Sequence, residues 1–158
     1  LGTDLVRRED ESGLRRSQAQ VEQLIEREVG RGIERRRIVL AGFSQGGAIA
    51  LQTGLRQREP LAGLVALSSY LPLAPLFEAE RAPQSATVPL FLAHGTSDPV
   101  VPLARGLASR DQLQSLGYVV EWHDYPMPHS VCADEIEHIA AFLGRVLPRS
   151  QPAPQAAV

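Results

Sequence analysis

Three polar residues in this sequence have the types and the order needed for nucleophilic catalysis. They are Ser44, Asp98 and His129, and each one follows a predicted strand. A serine hydroxyl is a weak nucleophile at neutral pH, so it needs a base to take its proton and an acid to orient that base. We therefore predict Ser44 as the nucleophile and His129 as general base and then general acid. Asp98 would hold the histidine tautomer and stabilise the imidazolium.

The stretch around Ser44 predicts how such a serine would be presented. An apolar run that starts at Ile38 breaks at Gly42-Phe43-Ser44-Gln45-Gly46 and then resumes. This pattern is typical of a strand, a sharp turn and a helix, and the two glycines leave room where the backbone doubles back. A helix that begins at Gln45 points free N–H groups and the positive end of its dipole at the place where an oxyanion would form. Gln45 is therefore the predicted oxyanion donor.

Helical and strand patterns alternate along the chain and define how these residues are held. The sequence predicts helices over residues 14–29, 45–58 and 102–116 and after residue 132, and strands over 37–43, 61–67, 88–93 and 118–124. The second and third runs are continuously apolar, which is typical of parallel strands covered on both faces. The order favours an α/β fold with a parallel sheet and helices on both faces. The three polar residues would then share the edge where open parallel sheets place their ligand sites.

Local patterns give four further predictions. Residues 1–12 are expected to form a surface loop, with Ser12 as the N-cap of the first helix. Residues 68–87 contain prolines and apolar side chains and are expected to form a long loop. The last helix should bury a stripe made of Ile136, Ile139, Ala140, Leu143, Val146 and Leu147. Residues 1–148 are thus predicted to be one domain, with a disordered tail over 149–158.

Composition argues against several classes of function. The chain has 158 residues, a formal net charge of −2 and an isoelectric point near 6.1, which argues against a nucleic-acid partner. It has no apolar run long enough for a transmembrane segment. One cysteine, Cys132, and no signal-peptide pattern make the cytoplasm the predicted compartment. No H-x-x-x-H or C-x-x-C spacing occurs, so no metal is expected.

The same residues allow other interpretations. Asp98 alone could be a turn aspartate before proline, and His129 alone could be a surface histidine. Gly42-x-Ser44-x-x-Gly47 is similar to a phosphate-binding turn, but serine stands where the backbone must approach a pyrophosphate closely. Cys132 could be a nucleophile, although no sharp turn presents it. The other histidines do not lie where a base for Ser44 is needed; they are His94, His123 and His138.

Four blocks in this order resemble the acyl-protein thioesterase, lysophospholipase and bacterial carboxylesterase family of compact α/β-hydrolases. They are GFSQGGA at 42–48, LSSYLP at 67–72, HGTSDPVVP at 94–102 and YPMPH at 125–129, and the resemblance runs from about residue 14 to 148. It implies an α/β-hydrolase fold and cofactor-free hydrolysis of carboxylic ester or thioester bonds through an acyl-serine intermediate. It also implies a small acyl-ester or lipid-like substrate, with apolar walls for the acyl chain at Tyr70, Leu71 and Val100.

The sequence departs from this family in two ways. Pro128 stands where the family usually has glycine before its histidine, which fixes φ and removes an N–H next to the base. Family members also begin with further strands and a His-Gly-Leu-Gly-like loop that supplies a second oxyanion N–H, and nothing like it precedes Leu14. We therefore expect the fold to lack its first strands and strand 37–43 to be an exposed edge. We also expect little esterase activity from these 158 residues alone.

An alternative function follows from that expectation. A catalytically impaired remnant would keep the fold and act as a binding or interaction module. It would bind acyl ligands or pair with another chain through the open edge, for example as a homodimer.

Overall fold

Four parallel strands form the sheet that carries the site. The computed structural model describes residues 10–147. Its strands are β1 (Val39–Phe43), β2 (Gly63–Leu67), β3 (Leu90–Gly95) and β4 (Val120–Tyr125). They lie side by side in the order β1-β2-β3-β4, and each neighbouring pair is parallel. The predicted α/β class and parallel sheet are confirmed, and the residues that follow the four strands share one edge of the sheet.

Helices cover both faces of this sheet. Within the described residues they are α1 (Glu11–Gly30), α2 (Gln45–Gly54), α3 (Ala74–Glu80), α4 (Leu103–Ser115) and α5 (Ala133–Val146). Successive strand side chains point to opposite faces. Leu64 and Leu90 therefore belong to the larger core, together with side chains from α1, α2, α3 and α4. Val65 and Phe91 instead pack with Phe142 of α5 on the other face.

The first helix begins earlier than predicted. Its N-cap is Asp10 rather than Ser12, and the Asp10 carboxylate accepts a hydrogen bond of 2.8 Å from the backbone N–H of Gly13. Both residue types cap helices well, so their identity alone does not choose between them. Of the surface loop predicted over residues 1–12, residues 1–9 lie outside the described part of the chain.

The prediction of one long loop over residues 68–87 is wrong. The segment contains α3 and a 3₁₀ turn over Pro83–Thr87. Phe77 of α3 is fully buried in the larger core. Glu80, at the end of α3, forms ion pairs of 2.6 Å with Arg15 and 2.8 Å with Arg56. Such a short helix depends on these distant contacts more than on its own propensity, because isolated helices of this length are unstable.

The buried face of α5 also differs from the predicted stripe. Ile136 is 54% exposed and Ala140 is exposed, whereas Phe142 and Glu135 are buried. Ile139, Leu143 and Val146 pack around the smaller core as predicted. Burial raises the pKa of the Glu135 carboxyl above its ordinary value, and the backbone amide of Cys132 offsets only part of this effect. Because Glu135 is a charged type of residue on the buried face, the predicted apolar stripe does not match that face.

Strand β1 lies at an edge of the sheet. Among residues 10–147 it pairs with β2 on one side only, and Phe43 at its end is 38% exposed.

No helix in the described part of the chain has the length and apolar character needed to cross a membrane. The disordered tail predicted over residues 149–158 lies outside the described residues.

Candidate active site

Ser44 occupies a strained turn between β1 and α2. Its φ of 53° and ψ of −120° are values that residues other than glycine rarely adopt. The turn closes because Gly42 has no side chain: a Cβ there would lie 2.2 Å from the carbonyl carbon of Gly46. Gly46 itself has open space at its Cβ position, so Gly42, rather than both glycines of the motif, is required for the turn. The predicted strand, turn and helix are confirmed.

Two hydrogen bonds attach this turn to the end of β2. The Ser44 N–H donates to the carbonyl of Leu67 at 2.8 Å. The hydroxyl of Ser69 donates to the carbonyl of Ser44 at 2.7 Å, and Ser69 is buried. Gly47 lets Ser69 approach, because a Cβ on Gly47 would lie 2.8 Å from that of Ser69. Ser69 belongs to the block LSSYLP at 67–72, but its sequence position alone gives no sign of this role.

The N-terminus of α2 adjoins Ser44. Gln45 is the first residue of this helix and Ser44 is its N-cap. The first backbone N–H groups of an α-helix have no intrahelical partner, and the helix dipole is positive at this end. This local structure suits an oxyanion donor, and the role of Gln45 stays a prediction.

Asp98 and His129 are joined by a short hydrogen bond. His129 Nδ1 lies 2.6 Å from Asp98 Oδ2, and Asp98 Oδ1 accepts hydrogen bonds from the backbone N–H groups of Val100 and Val101 at 2.8 and 2.9 Å. Burial opposes ionisation of this carboxyl, but the hydrogen bonds from His129, Val101 and Val100 outweigh it, so the pKa of Asp98 lies below its ordinary value. An ionised carboxylate only accepts hydrogen bonds, so Nδ1 of His129 carries the proton. Nε2 is then free to accept a proton from a nucleophile.

The loop that carries His129 lies against both the turn of Asp98 and the turn of Ser44. A Cβ on Gly95 would lie 2.3 Å from the carbonyl oxygen of Met127, so the two backbones touch where glycine stands. The ring of Phe43, the residue before Ser44, lies 4.7 Å from the imidazole of His129 between centroids. His129 is therefore beside the nucleophile turn.

The proline before His129 fits the loop. Pro128 is exposed, and its carbonyl accepts a hydrogen bond of 2.9 Å from the N–H of Ser130. His129 keeps its hydrogen bond to Asp98 next to this proline. The rigid residue is thus compatible with an oriented base.

The three predicted wall residues have different environments. Tyr70 lines a pocket of about 350 Å³ beside the start of α2, together with Gln45, Gly46 and Ile49. Val100, next to Asp98, is 64% exposed. Leu71 is only 3% exposed and packs in the larger core, so the structure does not place it on an open wall.

Two of the remaining histidines lie away from this edge. His123 and His138 stack with ring centroids 4.3 Å apart, between β4 and α5. His94 is buried and lies close to Asp98. Among residues 10–147, no group of three or more histidine, cysteine, aspartate or glutamate side chains is arranged to hold a metal ion.

Comparison with known proteins gives consistent matches along most of the chain. Residues 2–147 match the phospholipase/carboxylesterase family. Acyl-protein thioesterase 1 of Neurospora crassa is 46% identical over 149 residues, which cover 92% of this chain and 60% of that protein. Acyl-protein thioesterase 1 of Gibberella zeae is 43% identical over 154 residues, which cover 94% and 66%. The chain thus spans about three fifths to two thirds of the length of these relatives.

Solved structures show the same fold. Arabidopsis thaliana SOBER1 has a TM-score of 0.82 and 27% identity, over 87% of this chain and 66% of that one. Zea mays acyl-protein thioesterase 2 has a TM-score of 0.74 and 29% identity, over 86% and 65%.

Proposed function

Because the chain belongs to the phospholipase/carboxylesterase family, we propose that it is a serine hydrolase that cleaves carboxylic ester or thioester bonds of acyl substrates. Ser44, His129 and Asp98 are its catalytic triad. The observation that carries this proposal is the hydrogen bond of 2.6 Å between His129 and Asp98, beside the strained turn of Ser44. The names of the acyl-protein thioesterase relatives support acyl substrates in particular.

The first half of the reaction makes an acyl-enzyme. Ser44 Oγ attacks the carbonyl carbon of the substrate while His129 Nε2 takes its proton. Negative charge moves to the carbonyl oxygen, where the N–H of Gln45 donates a hydrogen bond. Asp98 stabilises the imidazolium. The tetrahedral intermediate then collapses, His129 gives its proton to the alcohol or thiol that leaves, and the acyl group remains on Ser44.

The second half regenerates the enzyme. Water attacks the acyl-serine carbonyl as His129 takes one of its protons. The new tetrahedral intermediate expels Ser44 Oγ, which recovers that proton, and the carboxylic acid is released. In each half of the reaction, His129 first accepts a proton and then donates it. Both proton transfers therefore depend on the orientation of His129 by Asp98.

The pocket beside the start of α2 is the proposed site for an apolar part of the substrate. Leu14 and Ile49 contribute apolar surface to it, and Tyr70 forms another wall. The guanidinium of Arg105 lies 3.4 Å from the centre of the Tyr70 ring, which fixes the wall in place. Val100 offers a second exposed apolar contact beside Asp98.

Hydrolysis of p-nitrophenyl esters and of an acyl thioester by the full chain tests this function. We expect turnover that depends on Ser44. Ser44→Ala should abolish it, and Ser115→Ala, which changes a serine on the exposed end of α4, should not. Turnover unchanged in Ser44→Ala would contradict the triad.

One observation favours a second function, that of an interaction module. Strand β1 has one neighbour in the described sheet, and Phe43 at its end is 38% exposed. Such an edge can pair with another strand, and a second copy of the chain is the proposed partner. Light scattering after size-exclusion chromatography should then report a dimer, and a monomer at all concentrations would contradict the pairing.

The single cysteine, which is free, supports a cytoplasmic location.

A further inference from the structure

We propose that the buried His94 is a positioning residue for the triad acid, because it holds the turn that orients Asp98 toward His129. The effect of His94 on catalysis rests on the proposed function, whereas the hydrogen bonds around His94 do not depend on it. His94 lies near the end of β3, four residues before Asp98, and is 1% exposed. It takes no part in the chemical steps described above.

His94 and Asp98 hold the same residue from two sides. His94 Nε2 lies 2.8 Å from the carbonyl oxygen of Val101. A carbonyl only accepts hydrogen bonds, so Nε2 carries a proton and donates it. The backbone N–H of Val101 in turn donates to Asp98 Oδ1 at 2.9 Å. The imidazole is therefore connected to the carboxylate through one residue of the turn, and it also lies 3.6 Å from Asp98 Oδ2.

The space for this imidazole is built into a neighbouring helix. Gly106 is a buried residue inside α4, where glycine is less favourable for the helix than alanine. A Cβ at that position would lie 2.6 Å from His94 Nδ1. On another side, the ring of Trp122 lies nearly parallel to the imidazole, at 16°, with centroids 6.4 Å apart. Glycine at position 106 therefore lowers the helix propensity of α4 but leaves room for the His94 imidazole in this orientation.

Loss of the His94 donor would loosen the turn. The Val101 carbonyl would lose its partner, and the N–H groups of Val100 and Val101 would be held less well against Asp98 Oδ1. Those two donors help to keep the pKa of Asp98 below its ordinary value. Asp98 is the charged group that contacts both imidazoles, at 2.6 Å for His129 and 3.6 Å for His94. A displaced carboxylate would weaken the hydrogen bond that it accepts from His129 Nδ1, and the imidazole of His129 would be held less well.

Proton NMR of the Hδ1 of His129 tests this without any substrate, because a proton in a short hydrogen bond resonates far downfield and exchanges slowly with water. In His94→Leu, which fills the space without a donor, we expect this resonance to move upfield or to be lost through exchange. His94→Gln, whose amide can donate to Val101, should restore most of the wild-type chemical shift. His123→Leu is the control, because His123 stacks against Phe91 and His138 on another part of the sheet. An unchanged Hδ1 resonance of His129 in folded His94→Leu would overturn the proposal.

Two further measurements keep the test decisive if His94→Leu does not fold. Gly106→Ala places a Cβ 2.6 Å from His94 Nδ1, so the imidazole must move, and the Hδ1 resonance of His129 should shift in the same direction as in His94→Leu. In the wild-type chain, nitrogen-15 shifts should identify His94 as the Nε2–H tautomer, and the Nδ1–H tautomer would overturn the proposal. If Ser44 proves inert while these shifts occur, the positioning role stands and the proposed hydrolase activity fails.

Discussion

A Cβ atom on Gly95 would lie 2.3 Å from the carbonyl oxygen of Pro128. The turn that presents Asp98 and the loop that presents His129 therefore meet backbone to backbone, and no side chain fits between them. This contact brings together two residues that are 31 positions apart in the sequence. The distance between acid and base depends on it.

Gly95→Ala should separate the two loops and lengthen or break the hydrogen bond between His129 and Asp98. Because removal of the triad acid's interaction costs about 10⁴-fold in turnover, we expect a loss of one to several orders of magnitude in Ser44-dependent hydrolysis. Gly144→Ala is the matched control. It lies in α5 with nothing within 4 Å of its Cβ position, and should stabilise the helix by up to about 1 kcal/mol. Equal turnover in both variants would contradict the role of the contact.

Ser69→Ala removes the hydroxyl that holds the Ser44 carbonyl. We expect about 1 kcal/mol of lost stability and slower acylation of Ser44, since one buried hydrogen bond typically contributes that much. Ser115→Ala deletes a comparable bond, of 2.7 Å to the Gln112 carbonyl, on an exposed part of α4. Stopped-flow acylation rates and thermal unfolding of both variants separate a local effect on the nucleophile from a general loss of stability. If acylation by the two variants is equal, Ser69 does not hold the turn in a reactive shape.

Asp98→Asn should lower turnover by about 10⁴-fold while the fold is retained. It should also change how stability depends on acid. The folded-state pKa of Asp98 is below its unfolded value, so its contribution is complete above the ordinary aspartate pKa. That contribution is lost as the pH falls through the lowered folded pKa. Denaturant unfolding between neutral and acidic pH should therefore give a shallower acid decline for Asp98→Asn, and an identical decline would contradict the assigned pKa shift.

Glu135→Gln tests the opposite case. Burial raises the folded-state pKa of Glu135, so its carboxyl favours the folded chain most below its unfolded pKa. This advantage disappears as the pH rises through the raised folded pKa, because ionisation of a buried carboxyl is unfavourable. The variant should lack that decline and be more stable than wild type near pH 7. Glu137→Gln, on the exposed face of α5, is the control and should leave the profile unchanged.

Local patterns are enough to predict the sheet, and they indicate Ser44, Asp98 and His129 as candidate catalytic residues, a role that stays a prediction. The apolar runs before Ser44 and before Asp98 are strands because their periodicity is local, and the parallel order follows from the alternating helices. No local pattern predicts α3, because its stability depends on distant residues: Phe77 is buried in the larger core, and Glu80 pairs with Arg15 of α1 and with Arg56, which follows α2. The same reason applies to Ser69, whose partner Ser44 is 25 residues away.

Burial of polar groups was the other source of error. The position of His94 at the end of a strand gives no sign of its place beside Asp98, because its bond to Val101 and the space at Gly106 are visible only in three dimensions. Glu135 is a residue of charged type on the buried face of α5, so the apolar pattern predicts burial of Ile136, which is exposed.

Labelling of the full chain with a fluorophosphonate probe, followed by peptide mapping, tests most directly whether His129 activates Ser44. One adduct on Ser44 is predicted, and its rate should fall by about 10²-fold or more in His129→Ala, since general base catalysis contributes that much. His138→Ala, which alters an exposed histidine of α5, should label as fast as wild type. Absence of an adduct on Ser44, or equally fast labelling in His129→Ala, would contradict the triad.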